Sequence, residues 1–136
     1  MTIPRHDEAW SARHGGNGKL VAEMYQEDGV RLEVAHGLRL EGRTTIAEVA
    51  QGYLDAVPDA VCEWRKVSEA ANGTVTIEWT WRGTHTGNSP DWWPPNSEDI
   101  YVEGVSVCDM DGDLIREERV YWDWKTLLGE PPPGQG

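Results

Sequence analysis

The sequence predicts a single α+β domain in which a strongly curved antiparallel sheet packs on N-terminal helices around an apolar pocket. Helical periodicity is confined to the first 54 residues, and four long strand-like runs follow it. Eight tryptophans and four tyrosines occur in a chain that has no phenylalanine. A buried indole must place its N–H against a hydrogen-bond partner, so tryptophan is a demanding choice for ordinary core volume. We therefore expect some of these rings to line a cavity.

Size and charge restrict the possible classes of function. The 136 residues suffice for one hydrophobic core, and a hydrophobic fraction of 38% is typical of globular proteins. The net charge of −12 repels phosphate groups, so we expect no nucleic-acid partner and no membrane partner. The opening segment has no apolar leader, which favours a cytoplasmic location. Cys62 and Cys108 lack metal-ligand spacing and are expected to be buried free thiols.

Helix and strand patterns alternate in the first part of the chain. Residues 7–26 have helical character interrupted by glycines, whereas residues 30–34 and 38–40 follow the alternation of two short strands. This alternation places Arg31 and Glu33 on the same face of the first strand.

The best-defined helix is predicted over residues 46–54, where apolar side chains recur at helical spacing. Thr45 and Glu48 fit a capping box at its start. Pro58 follows its end, where a proline cannot continue the helix.

Four longer strand-like runs make up the rest of the chain: residues 61–71, 74–86, 100–108 and 114–124. Asn72-Gly73 separates the first two runs and Asp111-Gly112 separates the last two. Both dipeptides favour tight turns, so two antiparallel hairpins are predicted.

A proline-rich segment separates the two hairpins. Residues 87–99 contain three prolines and the pair Trp92 and Trp93, a composition that no regular strand tolerates. Exposed indole pairs are uncommon in monomers, so we expect this loop to fold back over the sheet. The domain is placed at residues 1–129, and the tail of residues 130–136 is expected to be disordered.

His85 follows the inward parity of its strand. Alternation puts Val75, Ile77, Trp79 and Trp81 on one face, and His85 shares it. An inward histidine could act as an acid, a base or a hydrogen-bond donor. A single inward histidine is also a common structural residue, and both interpretations stay open.

Five short motifs follow one another along nearly the whole chain: Gly42-Arg43 before the helix, RGTHTG at 82–87, GVSV at 104–107, Asp111-Gly112 and YWD at 121–123. Their order and spacing resemble those of SnoaL-like polyketide cyclases in the nuclear-transport-factor-like superfamily. The resemblance implies a cone-shaped fold and a homodimer formed through the outer face of the sheet. It also implies acid–base chemistry without a metal or an organic cofactor.

The resemblance further implies roles for individual residues. Glu33 falls where ketosteroid isomerase, a member of the superfamily, has its general base, and His85 falls where relatives often place a polar catalytic group. Val120 occupies the position at which the cyclases carry a catalytic aspartate. Glu118 lies on the same face and is the candidate acid. Beside an apolar Val120, a buried carboxyl group would lack a partner charge, so we expect its pKa to be raised.

The expected ligand is a small hydrophobic organic molecule, either a carbonyl compound or a polyene. The residues expected to bind it are Trp10, Tyr53, Trp79, Trp81, Trp92, Trp93, Val120 and Trp122. Three functions stay open at this point: a cofactor-free cyclase, isomerase, lyase or hydrolase, a non-catalytic binding protein, and a dimerisation module. Perturbed acids in the pocket favour an enzyme, whereas a chain that only dimerises needs no sizeable cavity.

Overall fold

The computed structural model describes Ile3, residues 5–88 and residues 97–123. Its α helices are α1 (His6–Ala9), α2 (Gly18–Ala22) and α3 (Arg43–Ala56), and short 3₁₀ turns occur at Ala12–His14 and Val34–His36. Its strands are β1 (Tyr25–Glu33), β2 (Leu38–Glu41), β3 (Val61–Glu69), β4 (Val75–Thr84), β5 (Asp99–Asp111) and β6 (Leu114–Trp122). The chain therefore has the α+β composition that the sequence predicts.

The six strands form one sheet in the order β2-β1-β6-β5-β4-β3. The pairing is antiparallel, as predicted, except that β1 and β6 run parallel. A parallel pair needs a long connection, and here the connection includes α3 and the four intervening strands. The parallel register sets Arg31 opposite Glu118 and Glu33 opposite Val120.

The N-terminal region is less helical than the sequence suggests. In place of one broken helix over residues 7–26, two short helices form, and Tyr25 already begins β1. A Cβ on Gly16 would lie 2.5 Å from the carbonyl oxygen of Ala9, and a Cβ on Gly18 would lie 2.1 Å from that of Ala47. These glycines are therefore required by close backbone packing, which divides the predicted helix.

Helix α3 begins earlier than its predicted capping box. Its N-cap is Gly42, at φ 82°, and no side chain caps the first turn, so Thr45 and Glu48 do not form the box. The Arg43 Nε donates to the carbonyl oxygen of Tyr25 at 2.8 Å, which fixes the start of the helix against β1. The start of α3 is therefore set by this tertiary contact and not by a local capping box.

Both predicted hairpins form, with Gly73 and Gly112 at positive φ in their turns. Cys62 and Cys108 are buried and free, as expected. Burial raises the pKa of the Cys62 thiol to about 12, so it is not a nucleophile near neutral pH.

The core lies between the inner face of the sheet and the helices. Val75, Ile77 and Trp81 on β4 are buried while Glu78 and Arg82 are exposed, which confirms the predicted alternation. Within the described part of the chain, no helix has the length and apolar character needed to cross a bilayer.

Candidate active site

A cavity opens between the inner face of the sheet and helices α1 and α3. Its unoccupied volume is about 480 Å³ including the mouth, and about 50 Å³ of this admits the centre of a water molecule. Its aromatic lining consists of Trp10, Tyr53, Trp79, Trp81 and Trp122. Its other lining residues are His6, Arg31, Glu33, Cys62, Val102 and Ser106.

The aromatic wall presents ring surfaces to the cavity. The Tyr53 ring meets the rings of Trp81 and Trp122 edge to face, at centroid distances of 6.5 and 6.4 Å. Trp81 Nε1 donates to the carbonyl oxygen of Trp10 at 2.8 Å, and Trp79 Nε1 donates to Ser106 Oγ at 3.0 Å. Because these N–H groups are satisfied inside the protein, their rings offer apolar contact.

The position of Trp79 depends on a glycine in the neighbouring strand. Gly104 lies opposite Trp79 in the register of β4 and β5. A Cβ on Gly104 would lie 2.3 Å from Trp79 Cζ2, so the indole lies directly over the glycine backbone. The sequence contains the signal for this contact, a glycine inside a long strand, which often marks a close approach.

Arg31 stands at the centre of a buried polar cluster. Its Nε lies 3.0 Å from Glu33 Oε2, and its Nη1 lies 3.1 Å from Glu118 Oε1 and 3.3 Å from Tyr25 Oη. The guanidinium also lies over the Trp10 ring, 4.8 Å from its centroid. Arg31 is 6% exposed and both glutamates are fully buried. One guanidinium therefore holds two carboxylates in the interior.

The cluster follows from strand alternation combined with the parallel register. Arg31 and Glu33 share one face of β1, as the sequence predicts, and the structure turns that face inward. Glu118 faces inward from β6 directly opposite Arg31. Sequence reasoning missed Arg31 and Tyr25 as site residues. An arginine at an inward position of a strand, beside an inward acid, was the available signal.

Tyr53 fixes the second oxygen of Glu33. Its hydroxyl donates to Glu33 Oε1 at 2.9 Å. Burial and the charge of Glu33 raise the pKa of Tyr53, so the phenol stays protonated and acts as the donor. Arg31 and Tyr53 together hold the Glu33 carboxylate in one orientation on the cavity wall.

Glu118 behaves differently from the sequence expectation. Burial acts to raise its pKa, but the charge of Arg31, the influence of His6 and hydrogen bonds from Ser106 and Tyr25 together outweigh burial, and the pKa is lowered. Tyr25 also donates to Glu118 Oε1. The expectation of an unpartnered carboxyl group beside Val120 is therefore wrong for Glu118, which is a carboxylate paired with arginine and is not among the residues lining the cavity.

His6 enters the site from α1. Trp64 Nε1 donates to His6 Nδ1 at 3.0 Å, and His6 is 2% exposed. Burial lowers the pKa of His6 to about 4, against the opposing influence of Glu118. The ring is therefore neutral near pH 7. His6 precedes any periodic segment, so nothing in the local pattern identified it.

His85 does not join Glu33 at the cavity. It is buried just beyond the end of β4, where its N–H donates to the Glu98 carbonyl oxygen at 3.0 Å and its own carbonyl oxygen accepts from the Ser97 N–H at 2.9 Å. It lies four positions after Trp81, roughly 13 Å along an extended chain. The inward direction of His85 was predicted correctly, but the residue lies too far along the chain from Trp81 to reach the cavity.

The remaining predicted residues divide into two groups. Val120 is fully buried with Glu118 and Trp122 on the inward face of β6, as its parity predicts. It is not among the residues that line the cavity, although its neighbours Trp122 and Glu33 are. Trp92 and Trp93 lie outside the described residues, as do the predicted tail and the end of the last strand. A binding role for the lining residues stays a prediction.

The described residues contain no group of three or more His, Cys, Asp or Glu side chains arranged to hold a metal ion. The cavity wall offers a carboxylate, a guanidinium, a phenol and an imidazole.

Sequence comparison identifies one family. A family model described as SnoaL-like polyketide cyclase matches residues 2–130. Comparison with curated proteins gave no match.

Solved structures share the fold over most of their length. A hypothetical protein from Catenulispora acidiphila with a ketosteroid isomerase-like fold, in complex with trimethylamine, is 22% identical with a TM-score of 0.72, and 96% of each chain is covered. A protein from Jannaschia sp. assigned to the SnoaL-like polyketide cyclases is 17% identical with a TM-score of 0.75, covering 94% of this chain and 88% of that one. The epoxide hydrolase/cyclase-like enzyme SalBIII, which acts in pyran ring formation in the polyether salinomycin, is 20% identical with a TM-score of 0.68, and 88% of each chain is covered. At these identities the comparison establishes the nuclear-transport-factor-like fold.

Proposed function

Because this chain belongs to the SnoaL-like polyketide cyclase family, we propose that it is a cofactor-free enzyme in which Glu33 is the general base. The substrate is a small hydrophobic carbonyl compound held against the tryptophan wall. One observation carries the proposal: the fully buried Glu33 carboxylate lies on the wall of an aromatic cavity, oriented by Arg31 and Tyr53. A cavity of this kind is not expected of a module that only dimerises.

Arg31 prepares Glu33 to accept a proton. The adjacent guanidinium favours the ionised carboxylate, and two donors hold its orientation. When Glu33 takes up a proton, Arg31 remains paired with Glu118 at 3.1 Å. Proton transfer therefore leaves the buried guanidinium compensated, which keeps its cost low.

The reaction class is proton abstraction next to a carbonyl group. The proton of the α-carbon passes to Glu33, the C–H electron pair forms the enolate double bond, and the carbonyl π electrons move to the oxygen. Return of the proton to a different carbon gives isomerisation. Attack of the enolate carbon on a second carbonyl carbon gives ring closure, with the proton delivered to the new alkoxide. Both outcomes need only one positioned base.

Deuterium exchange of 2-tetralone tests this proposal without knowledge of the natural substrate. The ketone has an acidic benzylic position next to its carbonyl, and loss of that ¹H signal in D₂O measures proton abstraction. Saturable quenching of tryptophan fluorescence measures binding of the same ketone. We expect the protein to accelerate exchange and Glu33→Gln to reduce the rate by roughly two to four powers of ten.

Glu63→Gln is the matched control, because Glu63 is an exposed glutamate on β3 paired with Arg82. It should exchange at the unmodified rate. Binding of 2-tetralone without accelerated exchange, or equal rates in the Glu33 and Glu63 variants, would contradict a general base at position 33.

A second candidate function is the binding of a small organic cation. Trp and Tyr ring faces attract ammonium groups, and the cavity combines five such rings with the Glu33 carboxylate. The similar structure solved with trimethylamine supports this alternative. Titration with trimethylammonium chloride separates the two: saturable quenching that is lost in Glu33→Gln, together with no exchange of 2-tetralone, would favour the binding protein.

A further inference from the structure

The wall of the cavity contains a buried imidazole that the base mechanism above does not use. His6 and Glu33 line the same cavity from different elements, α1 and β1. We propose that His6 is a second catalytic residue, whose Nε2–H donates a hydrogen bond to the substrate carbonyl oxygen and stabilises the enolate formed when Glu33 removes the proton. This inference rests on the proposed function.

The tautomer of His6 is fixed by its neighbour. An indole Nε1–H can only donate, so Nδ1 of His6, 3.0 Å from Trp64 Nε1, must be the unprotonated acceptor. A neutral imidazole then carries its proton on Nε2. Among the described residues, the Trp64 contact is the only hydrogen bond of the His6 side chain. The Nε2–H is therefore a donor at the cavity wall, where a ligand acceptor would satisfy it.

The charge state of His6 suits this role. Burial lowers its pKa to about 4, with Arg31 acting in the same direction and Glu118 and Asp7 opposing it. At pH 7 the ring is a neutral donor. It can stabilise developing negative charge on oxygen without placing an additional cation in the interior, and a preorganised donor of this kind is effective in a water-poor site.

The step conserves charge within the cavity. Before proton transfer the negative charge lies on Glu33, and afterwards it lies on the enolate oxygen while Glu33 is neutral. Arg31 is anchored between Glu33 and Glu118 throughout. A donor at the opposite end of the substrate is what the relocated charge requires, and His6 supplies one from another element of the fold.

The test uses 2-tetralone exchange with variants that separate the donor from the ring. His6→Phe removes both nitrogens, and we expect the exchange rate of the bound ketone to fall about 100-fold. His6→Gln keeps an N–H near the position of Nε2, so its rate should stay within about tenfold of the unmodified protein. The dissociation constant of 2-tetralone should change less than about threefold in both variants, because the hydrogen bond from His6 mainly stabilises the enolate and not the bound ketone.

Trp64→Phe tests the tautomer without altering His6. We expect the imidazole ¹⁵N spectrum of the unmodified protein at pH 7 to show a protonated Nε2 and an unprotonated Nδ1. Trp64→Phe should give a mixture of the two tautomers and a lower rate of deuterium exchange of 2-tetralone. A proton on Nδ1 in the unmodified protein would overturn the proposal even if His6→Phe did not fold.

Failure of this inference is distinguishable from failure of the proposed function. Loss of exchange in Glu33→Gln with an unchanged rate in His6→Phe would overturn the role of His6 and leave the general base in place. Bound 2-tetralone that shows no accelerated exchange in the unmodified protein would overturn both.

Discussion

Protonation of His6 should couple the stability of the fold to pH. In the unfolded chain the imidazole has a pKa of 6.5, and in the folded protein burial lowers it to about 4. The unfolded state therefore binds the proton more readily over this interval. The stability contribution is fully present above pH 6.5, is lost as the pH falls, and levels off below pH 4.

The size of the effect follows from the two pKa values. The interval from 6.5 to about 4, at about 1.4 kcal/mol per pH unit, amounts to a loss of about 3 kcal/mol. About 2 kcal/mol of this is lost between pH 7.5 and pH 5. Glu118 stays ionised in this window because its pKa is lowered, and Arg31 keeps its charge.

Urea unfolding of the protein and of His6→Gln at pH 7.5, 6 and 5 measures this contribution. The glutamine does not titrate, so the difference between the two pH dependences isolates His6 from every other group. Protein concentration is held fixed, since dimerisation would add its own contribution. If the free energy of unfolding changes with pH equally in both proteins, within about 0.5 kcal/mol across the range, His6 is not buried as a neutral ring.

Three further substitutions and one measurement of the oligomeric state test the structure. Arg31→Met should lower the free energy of unfolding by about 3–5 kcal/mol because it leaves two buried carboxylates uncompensated, and urea unfolding that finds less than 1 kcal/mol would contradict the central ion pair. Gly104→Ala should displace the Trp79 ring and lower the affinity for 2-tetralone, measured by fluorescence quenching, about tenfold. Trp79→Phe, which has a smaller ring and leaves Gly104 unchanged, is the control. Val120→Asp should cost more than about 3 kcal/mol, since it places a third carboxylate in the buried cluster, and wild-type stability would show that the register of β6 is different. Light scattering at tens of micromolar should find a homodimer formed through the outer face of the sheet, where Tyr121 is 46% exposed, and a monomer would contradict this.

Several features of the fold could be predicted from the sequence because they depend on local patterns. Strand alternation placed Arg31 and Glu33 on one face of β1 and predicted the inward face of β4. Turn chemistry located both hairpins at Gly73 and Gly112. The ordered motifs indicated the family over nearly the whole chain. These signals are carried by residues close together in sequence, where backbone geometry alone decides which side chains share a face.

The composition of the site depended on contacts between distant segments. Arg31 and Glu118 are paired only because β1 and β6 lie side by side in parallel, a register that no local pattern encodes. His6 reaches the cavity because α1 packs there and Trp64 holds its ring.

His85 has the right parity but lies too far along its strand, because parity fixes a direction and not a distance. The sequence by itself determined the family, which side chains share a strand face, and a tryptophan-rich interior. Only the tertiary structure decided which polar groups meet there, because a buried charge is stable only beside a partner, and the partner is chosen by packing between segments far apart in the chain.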